Sequence, residues 1–155
     1  MSVSVFIGTS VDGFIARTNG ALDFLPEGGG EPHGYNEFIA SVDAIVIGRK
    51  TFETVLALDT WPYGDKRVVV LSSHPVDLSA VRGGVVEQMG APPAEIVSQL
   101  AVRGIHHLYI DGGITIKGSC ARGSFNGSLS LVCPCSLERE FLYSAASRAT
   151  FGSAT

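Results

Sequence analysis

Residues 2–8 alternate between apolar and polar positions and are rich in β-branched side chains, which predicts a first strand. Residues 43–48 and 67–72 are short continuous apolar runs, the signature of strands buried on both faces. The second of them meets His74 and Pro75, where a strand ends. Shorter runs at 85–87 and 107–110 are of the same kind. Between the strands the period lengthens to that of a helix. Pro92 and Pro93 open a segment that places Ile96, Val97, Leu100 and Ala101 on one stripe, and Gly104 stops it. Residues 51–58 predict another helix, with Phe52, Val55, Leu56 and Leu58 apolar, and residues 35–40 a shorter one.

Strand and helix alternate in this way through residue 117, the pattern of an α/β domain built on a mostly parallel sheet. Residues 27–32 read as a flexible connection, and there is no internal repeat. A chain of 155 residues, 45% hydrophobic and 17% charged, is long enough for one domain with its own core and is neither disordered nor a coiled coil. A net charge of −4 argues against nucleic acid or an anionic membrane as the main partner. No apolar run is long enough to span a bilayer, and the opening residues lack the features of a signal peptide. The expected location is the cytoplasm.

Ligands of α/β sheets sit at the carboxyl ends of strands, and three such ends carry suitable groups. Gly48-Arg49-Lys50-Thr51 runs from a strand straight into a helix. It combines a glycine, the free N–H groups of a helix start and two cations, which suits a phosphate; taken alone, such a junction is more often an ordinary turn with a solvated basic pair. Leu71-Ser72-Ser73-His74 offers small hydroxyls that can bond phosphate or ribose oxygens, or simply cap a turn. Ile110-Asp111-Gly112-Gly113-Ile114-Thr115 permits close approach to a pyrophosphate, or makes a tight turn. Taken together, the three ends would serve successive parts of a phosphorylated dinucleotide.

These runs, preceded by Val11-Asp12-Gly13-Phe14-Ile15-Ala16, stand in an order that resembles dihydrofolate-reductase-like proteins. The resemblance is strongest to the reductase domain of riboflavin biosynthesis and its small stand-alone relatives, and it covers residues 2–117. It implies a three-layer α/β/α fold, a mostly parallel mixed sheet, NADPH as hydride donor and a homodimer. It places Gly48, Arg49, Lys50 and Thr51 at the cofactor's phosphates, including the 2′-phosphate. Leu71, Ser72 and Ser73 would lie at the adenosine end. Gly112, Gly113, Ile114 and Thr115 would follow the pyrophosphate, and Ile15 and Ala16 would border the nicotinamide. A guanidinium suits a phosphate dianion, which favours NADPH over NADH.

The substrate side departs from the family pattern. Dihydrofolate reductases carry a carboxylate on the helix after the first strand, whereas here that helix begins near Gly34-Tyr35-Asn36 with no acid. Asp23 lies earlier and Glu37 about a turn later, and an acid near a helix start is also simply a favourable dipole contact. Asp12 either faces the substrate, as its motif does in the riboflavin-type reductases, or holds the turn before Gly13. Asp12 and Asp23 are therefore the candidate catalytic acids. Trp61 and Tyr63 could wall a ring-binding cleft or anchor a loop. The reaction most closely resembled is reduction of a ribosylamino-pyrimidine phosphate. Dihydrofolate reduction and a non-catalytic nucleotide-binding role are the alternatives.

Composition changes the picture at Gly118. All three cysteines (Cys120, Cys133, Cys135) and eight serines fall after it, and the apolar pattern breaks up. The chain's charge of −4 divides into −5 before this point and +1 after it. Cys-Pro-Cys supplies two thiolates without a second pair, so no metal site is expected. A frameshift accounts for the pattern better. Restoring one G to a G-run at Lys117-Gly118 lets the tail be re-read as a helix, an alternating strand and a glycine-rich turn resembling the family's closing segment. Residues 118–155 are thus expected to be the out-of-frame remainder of the domain, with its final strands missing or disrupted.

Overall fold

The computed structural model describes residues 1–8, 17–18, 23, 34–112 and 115, and the strands at 129–131 and 141–143. The element order is β1 (Ser2–Ser4), α1 (Tyr35–Ser41), β2 (Ala44–Gly48), α2 (Arg49–Leu56), β3 (Arg67–Leu71), β4 (Val85–Met89), α3 (Pro93–Val102), β5 (His107–Asp111), β6 (Leu129–Leu131) and β7 (Phe141–Tyr143). The first five strands form one sheet in the order β1-β5-β2-β3-β4, and every pair in it is parallel. The sheet expected to be mixed is thus wholly parallel over these five strands, and the one antiparallel pair described, β6–β7, forms a second, two-stranded sheet.

Period-two alternation divides the strands between two cores. Val46, Val69, Leu108 and Ile110 face one side, where Ile96 and Leu100 of α3 pack on them. Ile45, Ile47, Val68, Val70 and Tyr109 face the other, covered by Phe38 of α1 and Phe52 of α2. Helices on both faces of a parallel sheet give the expected three-layer α/β/α architecture. β2 and β3, central in the sheet, are buried along nearly their whole length, as their continuous apolar runs require.

Several boundaries differ from the sequence expectations. β1 leaves the ladder after Ser4, and the carbonyl of Phe6 instead accepts the Tyr109 hydroxyl at 3.0 Å. α2 begins two residues earlier than expected, at Arg49, directly on Gly48. It ends at Leu56, where the N–H groups of Ala57 and Leu58 turn back to Thr54 and Val55, so Leu58 is exposed rather than part of the apolar stripe. β4 continues to Met89, because its inner face packs on the core. On α3 the buried stripe narrows to Ile96 and Leu100, with Val97 half-buried and Ala101 exposed. Residues 27–32 lie outside the described residues.

Strand register aligns the carboxyl ends. Gly48 stands opposite Leu71, Leu71 opposite Met89, and Ile47 opposite Asp111. The three motif-bearing ends therefore share one edge of the sheet.

Candidate active site at the carboxyl edge

Gly48 is extended and forms the N-cap of α2, so Arg49 and Lys50 occupy the first two helical positions with no acid in that turn. Both side chains are exposed. The Arg49 Nε donates to Glu53 Oε1 at 2.7 Å, one turn along the same helix.

Two glycines here make room for threonines. A Cβ on Gly48 would stand 2.6 Å from Thr115 Oγ1. A Cβ on Gly112, which has φ of +96°, would collide with Thr51 Oγ1. The β2–α2 junction and the end of β5 thus interlock, each glycine receiving the other junction's threonine. Neither position tolerates a side chain, and the hydroxyls of Thr51 and Thr115 are brought together beside the start of α2.

After β3, Ser72 Oγ donates to the carbonyl of His74 at 2.7 Å, and Ser73 Oγ lies 3.1 Å from His74 Nδ1. Gln88 of β4 clamps this turn. Its Nε2 donates to the carbonyls of Ser72 and His74, and its Oε1 accepts from the Val76 N–H at 2.9 Å. The Ser72 hydroxyl is therefore part of a built turn, while Ser73 is exposed. Leu71 is half-buried against the core.

Asp111, the last residue of β5, is given no role by the sequence pattern but has a defined place in the structure. Its Oδ2 accepts the Tyr63 hydroxyl at 2.9 Å, and its Oδ1 accepts the Gly112 N–H at 2.8 Å. Burial pushes the Asp111 carboxyl above the ordinary carboxylate range, against the opposing pull of the Tyr63, Gly112 and Tyr109 hydrogen bonds. Burial, with Asp111 nearby, also pushes the Tyr35 hydroxyl up to about 12 and drives those of Tyr63 and Tyr109 upward. Phe6, Tyr35, Phe38 and Tyr109 pack ring against ring beside this group, with centroids 5.0–5.3 Å apart. The signal available in the sequence was an acid at a strand's carboxyl end, immediately before Gly-Gly.

The structure thus brings together Gly48, Arg49, Lys50, Thr51, Gly112 and Thr115, with Leu71, Ser72 and Ser73 at the adjacent strand end. Asp12, Ile15, Ala16, Gly113 and Ile114 lie outside the described residues. Asp23 is exposed and paired with Arg17, which holds its carboxyl below the ordinary range. Trp61 packs against Phe52, Tyr63 and Gly84, with its indole N–H enclosed and without a partner among the described residues, which makes it a loop anchor.

The profile of the RibD C-terminal domain family matches residues 1–132. The chain belongs to that family. A protein assigned to riboflavin biosynthesis from Shewanella sp. PV-4 is 31% identical, with a TM-score of 0.67 over 86% of this chain and 77% of that one. At 16% identity the fold is shared with the Thermotoga maritima diaminohydroxyphosphoribosylaminopyrimidine deaminase/5-amino-6-(5-phosphoribosylamino)uracil reductase, at a TM-score of 0.60 over 83% of this chain and 44% of that one. It is also shared with the Enterococcus faecalis dihydrofolate reductase, solved with NADP(H) and RAB-propyl, at 16% identity and a TM-score of 0.53 over 94% and 79%. The Bacillus subtilis (strain 168) protein YwjB is 40% identical over 73 residues, which span 46% of this chain and 42% of that protein. In this RibD C-terminal domain the polar groups described above gather at the carboxyl edge of the parallel sheet. No described helix is long and apolar enough to cross a membrane.

Proposed function

We propose that this chain is an NADPH-dependent reductase of a small heterocyclic substrate, with a ribosylamino-pyrimidine phosphate of flavin synthesis as the first reading. The observation that carries it is the interlocked corner. Two glycines that admit no Cβ, two threonine hydroxyls and two cations at a helix start converge on one strand edge. Such a corner fits a phosphorylated dinucleotide, because small hydroxyls, backbone N–H groups and guanidinium all donate to phosphate oxygens.

When bound, NADPH supplies the hydride. Arg49 and Lys50 hold phosphate charge, Thr51 and Thr115 donate to it, and Gly112, Gly113 and Ile114 let the backbone approach. Ser72 and Ser73, with Leu71 beneath them, receive the adenosine end, and Ile15 and Ala16 border the nicotinamide. The Asp111 carboxyl, held above the ordinary range by burial and with the Tyr63 hydroxyl beside it, is suited to hold a proton for a reduced ring. Asp12 faces the substrate. Dihydrofolate is the less favoured substrate, because α1 opens on Tyr35 and its only first-turn acid is Glu37. The same reading carries a homodimer in the cytoplasm.

Trp61 is the chain's single tryptophan and packs on Phe52 of α2, so energy transfer from it to reduced nicotinamide reports binding. NADPH is expected to bind and to raise the melting temperature. Oxidation of NADPH against a panel of pterins and pyrimidines then identifies the substrate class. Arg49→Ala is expected to weaken NADPH about tenfold, from the loss of a charge-assisted hydrogen bond at a half-exposed site. Undiminished affinity would show that Arg49 does not hold the phosphate, and absence of NADPH binding by the unmodified chain would overturn the reading itself.

A further inference from the structure

The start of α2 runs against local electrostatics. Arg49 and Lys50 place two cations at the positive end of the helix, where anions are favoured. The Arg49–Glu53 pair also runs base-before-acid, the weaker order for an i,i+4 ion pair. With both side chains about half exposed, this pair adds little to stability. A violated local rule without a gain in stability points to binding.

The geometry of the pair supplies the reason. Glu53 Oε1 takes the Arg49 Nε at 2.7 Å, an engagement through one nitrogen of the five-donor fork. Holding Nε fixes the long side chain along the helix. The two Nη groups, which form the edge that meets a phosphate with two parallel bonds, make no hydrogen bond among the described residues. Resting on the NADPH reading above, we infer that Glu53 is the positioning residue for Arg49 and thereby sets the preference for a 2′-phosphorylated dinucleotide over its unphosphorylated counterpart. Glu53 does not touch the phosphate. Its own charge opposes a phosphate weakly across exposed surface, and its contribution is to order the guanidinium before the ligand arrives.

Two substitutions separate orientation from charge. Glu53→Ala removes the acceptor, while Glu53→Gln keeps an acceptor oxygen and discards the charge. NADPH and NADH affinities are measured by energy transfer from Trp61 in the full chain and in both variants. Glu53→Ala is expected to weaken NADPH about fivefold, roughly 1 kcal/mol, with NADH unchanged. Glu53→Gln is expected to bind NADPH as well as the unmodified chain or better. An equal loss for both dinucleotides would show a merely structural role and overturn the inference. So would an unchanged or tighter NADPH affinity in Glu53→Ala, or a loss in Glu53→Gln as large as in Glu53→Ala. Failure of the unmodified chain to bind NADPH would instead overturn the NADPH reading, a result distinct from all of these.

Discussion

Replacing Gly112 with alanine tests the interlocked corner directly. Two penalties add at this position. The backbone has φ of +96°, where an L side chain costs about 1–2 kcal/mol. The new methyl would also collide with Thr51 Oγ1 and meet Thr51 Cβ at 3.5 Å, an overpacking penalty of about 1–3 kcal/mol. Gly112→Ala should therefore lose about 2–5 kcal/mol, a large share of the roughly 5–15 kcal/mol that a domain has. Thr51→Ala removes the obstructing hydroxyl and leaves the backbone penalty in place. In the Thr51→Ala background the alanine at 112 should cost only about 1–2 kcal/mol. The assay is urea unfolding of the unmodified chain, both single variants and the double variant, combined as a cycle so that the separate cost of losing Thr51 cancels. A cost at 112 that is the same in both backgrounds refutes the Thr51 contact. A cost near zero in both refutes the backbone argument as well.

Asp111→Asn keeps acceptors and donors in place of the carboxyl and removes its titration. Because burial raises the folded-state pKa of Asp111, its protonated form contributes stability that is complete below about 3.9 and is lost as pH rises through the folded value. The variant should therefore gain stability relative to the unmodified chain as pH climbs above about 4; parallel pH–stability curves from denaturant unfolding would contradict the buried carboxyl. For the tail, we propose the frameshift reading. The coding DNA should show a G-run at Lys117, and a chain carrying the restored frame should melt at a higher temperature than the chain as it stands. A coding sequence without that run, or a restored frame that melts no higher, argues for the tail as an integral extension.

The sheet was legible because its signal is redundant. The runs at 43–48 and 67–72 could be buried on both faces only in a parallel layer, and the structure makes them central strands. Motif order likewise located the edge where the candidate residues gather, since register follows from the pairing of those same runs. Side-chain partnerships across long separations were not legible. Thr51 meets Gly112, Tyr63 meets Asp111, and Gln88 holds the turn at Ser72, yet no local propensity encodes any of the three. Asp111 was hidden for a further reason, because an acid before Gly-Gly reads as turn chemistry until the structure shows Tyr63 donating to it from a distant loop. Helix ends were misjudged where backbone bonds tightened the last turn, as at Leu58.

Strand order also bears on how the chain emerges from a ribosome. β2, β3 and β4 are consecutive in sequence and adjacent in space, so they can assemble as soon as they are synthesised. β1 cannot. Its partner in the sheet is β5, which follows about a hundred residues later and inserts between β1 and β2. Until then the nascent sheet presents the open edge of β2, a strand of Ala44, Ile45, Val46 and Ile47, to any passing chain. Slow translation between residues 48 and 107 would lengthen that exposure. Holding chaperones should therefore matter most to this protein in that interval.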